Sequence, residues 1–198
     1  MKKTIIALGL SAILMASFAF TYIVNYSVNV EESKVTWVGK KITYDHKGTI
    51  KISSGSLDVS GNNLVGGSFT IDMNSIANLD LEDSEKNAKL IGHLKSADFF
   101  NVSEFPTASM VITSVKMNKA EGSNYEVMGD LTIKGITKPV TFPAMVVIDN
   151  DIVSAKATVV FDRSEYDVRY GSGSFFDDLG DKVIYDDIEL GIELVANK

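Results

Sequence analysis

Apolar and polar residues alternate one by one along most of this chain, a pattern typical of strands with one buried face and one wetted face. The clearest run is Asp187–Leu194, in which four aliphatic residues share one face while three acids and a glycine share the other. Similar runs recur between Val35 and Phe161, and we predict about eight strands. Because strands with a single buried face are characteristic of antiparallel sheets, the pattern favours an all-β, antiparallel protein.

Turn-forming residues separate the predicted strands. Gly, Asn, Asp and Ser are concentrated at Ser60–Asn63, Ala120–Asn124 and Asp149–Asp151. Gly66 and Gly67 lie inside a strand pattern and predict a bulge or a sharp bend, a feature that curves a sheet towards closure. The spacing of strands and turns suits a sandwich or a barrel.

One segment breaks the alternation. Between Asp83 and Lys95 there is no proline and the only glycine is Gly92. Three apolar residues recur there at three-residue steps: Ala88, Ile91 and Leu94. We predict a short helix that ends near Gly92, followed by a loop in which the rings of Phe99 and Phe100 pack. Since no tandem repeat or proline-rich linker appears, we predict a single domain.

The N-terminus has the features of a secretory signal peptide. Lys2 and Lys3 precede an uncharged apolar run, Thr4–Ala16, and Ser17 and Ala19 place small residues at the −3 and −1 positions of a cleavage site. The run is shorter than the ~20 residues that span a bilayer, which favours cleavage over a retained anchor. We therefore predict a signal peptide over residues 1–19, cleavage after Ala19, a mature domain of residues 20–198 and export to the periplasm or another extracytoplasmic space.

The net charge and the absence of cysteine limit the possible binding partners and covalent attachments. The chain carries a net charge of −7 and has no cysteine, which excludes disulfides and a lipid-modified cysteine anchor. An acidic surface disfavours polyanions, so we expect neither nucleic acid nor an anionic membrane face as a partner. The sequence does not fix the oligomeric state and leaves a homodimer open.

Motifs for catalysis, cofactors and metals are incomplete. Gly171–Phe176 begins like a dinucleotide fingerprint, but Phe176 stands where the third glycine belongs. The two histidines, His46 and His93, have no metal-ligand spacing. We predict no catalytic residues, no cofactor and no metal, and we interpret the acids between 177 and 187 as a solvated loop rather than a cation site. An enzyme acting on a small lipid would need His93 or Asp98 to point inward as a base.

Two longer motifs are more specific than the composition. His93–Val102 is followed by Phe105–Ala108, and the run GDLTIKGITKPV occupies Gly129–Val140. From about Ser33 to the C-terminus the chain resembles the YceI family of lipocalin-like, polyisoprenoid-binding exported proteins. The resemblance implies an eight-stranded antiparallel barrel with a short helix near one end, which agrees with the strand and helix patterns. It also implies an elongated tunnel that holds a long isoprenoid, such as a polyprenyl chain or a quinone, with fatty acids or fatty amides bound by related members.

The expected function is therefore that of an exported lipid carrier, with two alternatives. The first is binding of a fatty acid or a fatty amide; the second is a non-catalytic structural or stress-related exported protein with a filled core. Alternation alone favours a filled core over a ligand-binding interior, because small barrels usually are filled with side chains. The family resemblance favours the ligand-binding interior instead. We expect the following side chains to contact the ligand: Trp37, Ile50, Phe69, Ile71, His93, Phe99, Phe100, Ile112, Leu131, Phe142, Val159, Phe161, Leu190 and Ile192.

The two arginines of this acidic chain, Arg163 and Arg169, lie six positions apart with Tyr166 and Tyr170 beside them. If the segment is extended, both guanidinium groups share one side of a strand, because six is an even separation. They would then bind a phosphate or carboxylate head group through charge-assisted hydrogen bonds, with the two tyrosines nearby. The alternative is internal ion pairing with nearby acids, and the sequence leaves both hypotheses open: the candidates are Asp162, Glu165 and Asp167.

Overall fold

The computed structural model describes residues 22–198, so the predicted signal peptide and its cleavage site lie outside the described residues. Nine strands and one helix follow one another: β1 (Ile23–Val28), β2 (Lys34–Lys41), β3 (Asp45–Ser60), β4 (Asn63–Asn78), α1 (Ser84–Lys95), β5 (Thr107–Met117), β6 (Tyr125–Ile133), β7 (Ile136–Asp149), β8 (Ile152–Asp162) and β9 (Ile184–Asn197). Within residues 22–198 no helix has the length and apolar character needed to cross a bilayer.

The strands close into an antiparallel barrel. Strands β2 to β9 are hydrogen-bonded in a ring, because β2 pairs with both β3 and β9 and β4 pairs back onto β3. The short strand β1 also lies between β3 and β9, with Tyr26 opposite Leu57 and Val28 opposite Ala196. β1 and β2 therefore follow one another end to end in a single position of the ring. This confirms the predicted all-β, eight-stranded lipocalin-like barrel with one short helix.

The two ends of the barrel differ in their connections. The β3–β4, β5–β6 and β7–β8 turns lie at the end that we call the closed end. The β2–β3 turn, the long β4–β5 connection that contains α1, the β6–β7 turn and residues 163–183 lie at the other end, which we call the helix end. Short hairpins thus finish one end, while the longest connections of the chain cover the other.

Apolar side chains fill the barrel at the closed end. Three of them are at most 1% exposed: Val59, Val153 and Ala196. Tyr26 donates a hydrogen bond from its hydroxyl to the carbonyl of Asn150 at 2.7 Å, and the hydroxyl of Tyr125 accepts one from the main-chain N–H of Leu64. Interdigitated aliphatic groups and two satisfied tyrosine hydroxyls therefore leave little free space here.

Two irregularities in β4 shape the barrel wall. Asp58 pairs with Gly66 while Val59 pairs with Leu64, so Val65 is an extra residue and the predicted bulge at the glycine pair is confirmed. Further along, Thr49 pairs with Ala77 and Lys51 with Asp72, which leaves residues 73–76 as a wider irregularity. Two apolar side chains of this segment are buried, Met73 and Ile76.

Helix α1 lies over the helix end and packs against β4. Asp83 caps its N-terminus by accepting hydrogen bonds from the main-chain N–H groups of Glu85 and Lys86, both at 3.0 Å. The prediction that the helix ends near Gly92 is wrong, since it continues to Lys95. A side chain at Gly92 would face open space, and the helix ends only where the Ser96 hydroxyl donates to the carbonyl of His93. No residue of the helix is fully buried.

Candidate functional site

Strand register brings inward-facing residues of neighbouring strands into rows. One row crosses five strands in order, with each residue paired to the next: Ile50, Val35, Ile192, Ala157 and Ala144. A second row pairs Phe69 with Met110 and Met110 with Leu131. The period-two alternation of the sequence therefore becomes a continuous apolar inner wall, because residues two apart on a strand share a face.

This wall encloses a cavity of about 200 Å³. Thirty-one residues line it, and Arg163 is the one charged residue among them. Along β9 the lining runs from Ile188 to Leu194, six residue steps or roughly 20 Å of strand. The cavity is thus an elongated apolar space along the barrel rather than a shallow depression at its rim.

Small side chains account for the space. Four alanines occupy lining positions on the neighbouring strands β7 and β8 and on β5: Ala108, Ala144, Ala155 and Ala157. Large rings such as those of Trp37 and Phe142 line the same cavity without filling it. Inward-facing Ile50 and Ile192 are only partly buried, although both point away from the outer surface of the barrel. The interior at this level is therefore packed less completely than the closed end.

Most of the residues predicted to contact a ligand line the cavity. The structure brings together fourteen of them: Trp37, Ile50, Phe69, Ile71, Phe99, Phe100, Ile112, Leu131, Phe142, Val159, Phe161, Arg163, Leu190 and Ile192. Four others lie outside the lining: His93, Tyr166, Arg169 and Tyr170. Most of the lining residues that were not predicted also lie at apolar positions of the alternating pattern. They include Val35, Ile52, Met110, Ala157, Ile188 and Leu194.

Aromatic rings close the cavity at the helix end. Phe99 is buried and Phe100 half-buried, and their ring centroids are 6.2 Å apart, which confirms the predicted packing of this pair. Behind Phe99, the imidazole of His93 and the ring of Tyr170 lie at 5.0 and 5.5 Å. His93 and Tyr170 thus support the cap from outside instead of lining the cavity.

Arg163 does not have the free guanidinium that head-group binding requires. The segment Arg163–Tyr166 is a 3₁₀ helix instead of extended chain, so the assumption that placed Arg163 and Arg169 on one strand face is wrong. Arg163 is 0% exposed. Its N–H groups donate at 2.9–3.2 Å to four main-chain carbonyls: those of Val168, Tyr170, Ile184 and Tyr185.

The partner acid of Arg163 is Asp186, which is none of the three acids predicted from the sequence. The Arg163 Nη2 lies 3.1 Å from Asp186 Oδ1, and Asp186 Oδ2 accepts hydrogen bonds from the hydroxyls of Ser172 and Ser174. Burial lowers the pKa of Arg163, and the charges of Asp186 and Asp162 oppose that shift. Arg163 therefore fastens residues 163–186 to the start of β9 and leaves few donors for a ligand.

Arg169 and Tyr166 have different surroundings. Arg169 is exposed, forms an ion pair with Asp167 as the internal-pairing alternative predicted, and lies over the ring of Phe175 at 4.9 Å. Tyr166 is buried, and its hydroxyl has no hydrogen-bond partner among residues 22–198. Burial, with a smaller contribution from Glu165, raises the pKa of Tyr166 to about 12.

The alternative of a lipid-modifying enzyme required an inward-pointing base. His93 Nε2 lies 3.6 Å from Asp98 Oδ2, but neither residue lines the cavity and Asp98 is largely exposed. Over residues 22–198 no three His, Asp or Glu side chains are grouped as a metal site would require. Within residues 22–198, the cavity wall is therefore suited to apolar binding, and the His93–Asp98 pair lies outside that wall.

Comparison with known proteins identifies the family. The sequence model of the YceI-like domain matches residues 26–196. The chain belongs to the YceI-like family. It is 30% identical to a UPF0312 protein of Photorhabdus laumondii over 205 residues, across the full length of both chains. It is 29% identical to Protein YceI of Escherichia coli O157:H7 over 157 residues, or 76% of each chain.

Solved structures of other bacterial proteins share the fold. BcnA of Burkholderia cenocepacia superposes with a TM-score of 0.66 at 26% identity, covering 86% of this chain and 99% of that one. A polyisoprenoid-binding domain of Saccharophagus degradans superposes with a TM-score of 0.55 at 14% identity, covering 87% and 97%. The second likeness is one of fold alone.

Proposed function

We propose that this protein is a non-catalytic, exported lipid-binding protein that holds the tail of a long isoprenoid in the barrel cavity. The observation that carries the proposal is the lining: thirty apolar residues and one arginine whose N–H groups donate mainly to the main chain. The Saccharophagus relative, which is described as a polyisoprenoid-binding domain, supports the isoprenoid as the first candidate. We propose the fourteen predicted residues that line the cavity as the contacts of the tail.

Tail burial can supply the affinity. Each buried methylene contributes about 0.8 kcal/mol as an upper limit, before the entropy of binding is subtracted. The cavity of about 200 Å³ is only somewhat larger than the ~150 Å³ cavity that accepts benzene in an engineered protein. A tail of several isoprene units therefore requires lining side chains to change rotamer. Met73 and Met110, both in the lining, have the unbranched, flexible side chains suited to this.

Selection between lipids falls to groups near the helix end. Arg169, Tyr170 and His93 lie at or behind the aromatic cap, and a head-group role for them stays a prediction. The head group of a quinone or a prenyl alcohol is uncharged and needs no cationic partner, whereas a fatty acid has a carboxylate that a cationic side chain would bind. Binding of stearate and of a C18 fatty amide, measured beside farnesol and a quinone, distinguishes the isoprenoid proposal from the fatty-ligand alternative.

Export follows from the predicted signal peptide over residues 1–19. Expression of the full chain with its own leader should yield protein outside the cytoplasm whose first residue is Phe20. N-terminal sequencing of the exported fraction measures this directly. Exported protein that still begins at Met1 would contradict both the predicted cleavage after Ala19 and the predicted mature domain of residues 20–198.

The central experiment is solvent extraction of the purified protein, followed by mass spectrometry of the extract. We expect a lipid with a long apolar tail, bound in a fixed ratio to protein. Ala157 lines the cavity on β8, and its neighbour Thr158 is exposed on the opposite face. Ala157→Phe should therefore reduce the recovered lipid at least ten-fold, while Thr158→Phe should retain it.

A different result would favour a filled core. If the extract contains no lipid, and the delipidated protein binds neither farnesol nor stearate, a structural role takes precedence. Equal losses in Ala157→Phe and Thr158→Phe would locate the lipid on the outer surface rather than in the barrel.

A further inference from the structure

A second depression lies between one face of α1 and residues 44–46 and 80–81, beside the aromatic cap of the apolar cavity. It measures about 600 Å³, and both histidines of the chain line it. We call it the lysine cleft and define it by its charged and titratable residues: Tyr44, Asp45, His46, Asp80, Lys86, Lys89 and His93. Leu81 and Leu90 complete its surface.

The helical wall of the lysine cleft is basic because of residue spacing. One face of α1 carries Lys86, Lys89, Leu90 and His93. Steps of three and four positions lead from the first residue to the middle two and from the middle two to the last. Lys86 and Lys89 are exposed, and neither forms an ion pair or a side-chain hydrogen bond with any residue in the range 22–198. Both ammonium groups therefore have their donors open to an anion from solution.

The opposite wall is held by Asp80, whose charge is already satisfied. Asp80 accepts hydrogen bonds from the Lys47 main-chain N–H at 2.7 Å and from the Asn78 side chain, and it lies 2.7 Å from His46 Nδ1. Burial raises the pKa of Asp80, but these hydrogen bonds outweigh it and the pKa lies below its ordinary value. Asp45 is the one other carboxylate that lines the cleft.

The lysine cleft and the cavity border adjoining faces of the C-terminal half of α1. Leu94 lines the cavity, whereas Leu90 and His93 line the cleft. The imidazole of His93 is 5.0 Å from the ring of Phe99, which caps the cavity. A charged group in the cleft would thus lie beside the aromatic cap that covers an apolar tail in the cavity.

We propose that the lysine cleft binds an anionic phosphate or carboxylate group through Lys86 and Lys89. Each ammonium offers three donors, and ammonium–oxyanion hydrogen bonds are stronger than neutral ones. The nearest source of such a group is the head of the lipid whose tail occupies the cavity, and this part rests on the proposed function. A free inorganic anion has the same chemistry.

Calorimetric titration of delipidated protein with three probes tests the site: farnesol, farnesyl phosphate and inorganic phosphate. The variant is Lys86→Gln/Lys89→Gln, and the matched control is Lys116→Gln/Lys119→Gln, two exposed lysines near the closed end. We expect farnesyl phosphate to bind at least ten-fold more tightly than farnesol. That advantage should vanish in the Lys86/Lys89 variant and persist in the control, while farnesol affinity stays unchanged in both.

The outcomes separate the two sources and the two proposals. Inorganic phosphate that binds alone, and only with Lys86 and Lys89 intact, supports the site with a free anion as its source. The site is overturned if farnesyl phosphate binds no more tightly than farnesol and inorganic phosphate does not bind. It is also overturned if farnesyl phosphate keeps its tighter binding in the Lys86→Gln/Lys89→Gln variant. If farnesol fails to bind any protein, the lipid-binding function fails, and the two phosphate probes still decide the cleft.

Discussion

At the closed end of the barrel, Val59, Val153 and Ala196 have at most 1% of their surface exposed and line no cavity, whereas nearer the helix end inward-facing Ile188 and Leu190 border free space. Both regions belong to the same strands and follow the same alternation of apolar and polar residues. The difference lies in side-chain size and in what holds the connections together. Apolar packing stabilises one end, and a buried arginine with its carbonyl partners stabilises the other.

This division suits a binding protein. A region whose side chains interdigitate has no room for a ligand, so the closed end can only supply stability. Further along the barrel, alanines at inward positions leave space, so packing contributes less to stability there. At the helix end Arg163 contributes through hydrogen bonds to residues 168–185.

The largest effect should follow from removing that arginine. Arg163→Leu leaves four carbonyls without their donor and the half-buried Asp186 without its cation, and we expect a loss of about 3–5 kcal/mol in the free energy of unfolding. Arg169→Leu, which breaks only an exposed ion pair with Asp167, should cost about 0–1 kcal/mol. Urea unfolding measures both. Similar losses for the two variants would show that the helix end does not depend on Arg163.

Truncating matched valines compares the two regions directly. Val153 is fully buried at the closed end and lines no cavity, whereas Val35 is buried in the wall of the cavity. Val153→Ala should cost about 1.5–3 kcal/mol, because it creates a new void among packed groups. Val35→Ala only enlarges an existing space, so its cost should be nearer the lower limit, about 1.5 kcal/mol. Thermal unfolding that ranks Val35→Ala as the more destabilising variant would contradict the distinction between the regions.

The smallest effect concerns Tyr166, whose buried hydroxyl has no hydrogen-bond partner in the described part of the chain. Tyr166→Phe should change stability at neutral pH by no more than about 1 kcal/mol, in the stabilising direction. The folded-state pKa is about 12, above the ordinary value of 10.0. Wild-type stability should therefore fall as pH rises from 10 towards 12, because the unfolded chain ionises first.

The Phe variant should lose that part of the alkaline decline. Unfolding midpoints measured from pH 8 to pH 12 for both proteins give the comparison. Parallel curves across the whole range would mean that Tyr166 ionises as easily in the folded protein as in the unfolded one.

Alternation made much of the fold and of the cavity predictable. A period of two maps directly onto the two faces of a strand, so Ile188, Leu190, Ile192 and Leu194 all line the cavity as the sequence pattern indicates. The Phe99–Phe100 pair was also predictable, since adjacent rings beside a helix need a place to pack. Such features depend on local sequence alone.

Other features depend on register and on loops, which a single sequence does not determine. The division of one barrel position between β1 and β2 appears only when both pair with β3. The predicted head-group role of Arg163 assumed an extended chain, whereas Arg163–Tyr166 forms a 3₁₀ helix. The lysine cleft joins His46 and His93, which are far apart in sequence and meet only through the packing of α1.

Lipid binding in the barrel interior is the central claim, and Trp37 reports on it directly. It is the only tryptophan of the chain, and it lines the cavity. Bromine atoms on a lipid tail quench indole fluorescence only at close contact, so a brominated isoprenoid tests whether a tail reaches this wall. The delipidated protein should be titrated with that lipid beside its Ala157→Phe and Thr158→Phe variants.

We predict saturable quenching of Trp37 in the wild type and in Thr158→Phe, with a midpoint at least ten-fold higher in Ala157→Phe. Quenching that is absent, does not saturate or is equal in all three proteins would contradict a lipid-binding cavity inside the barrel.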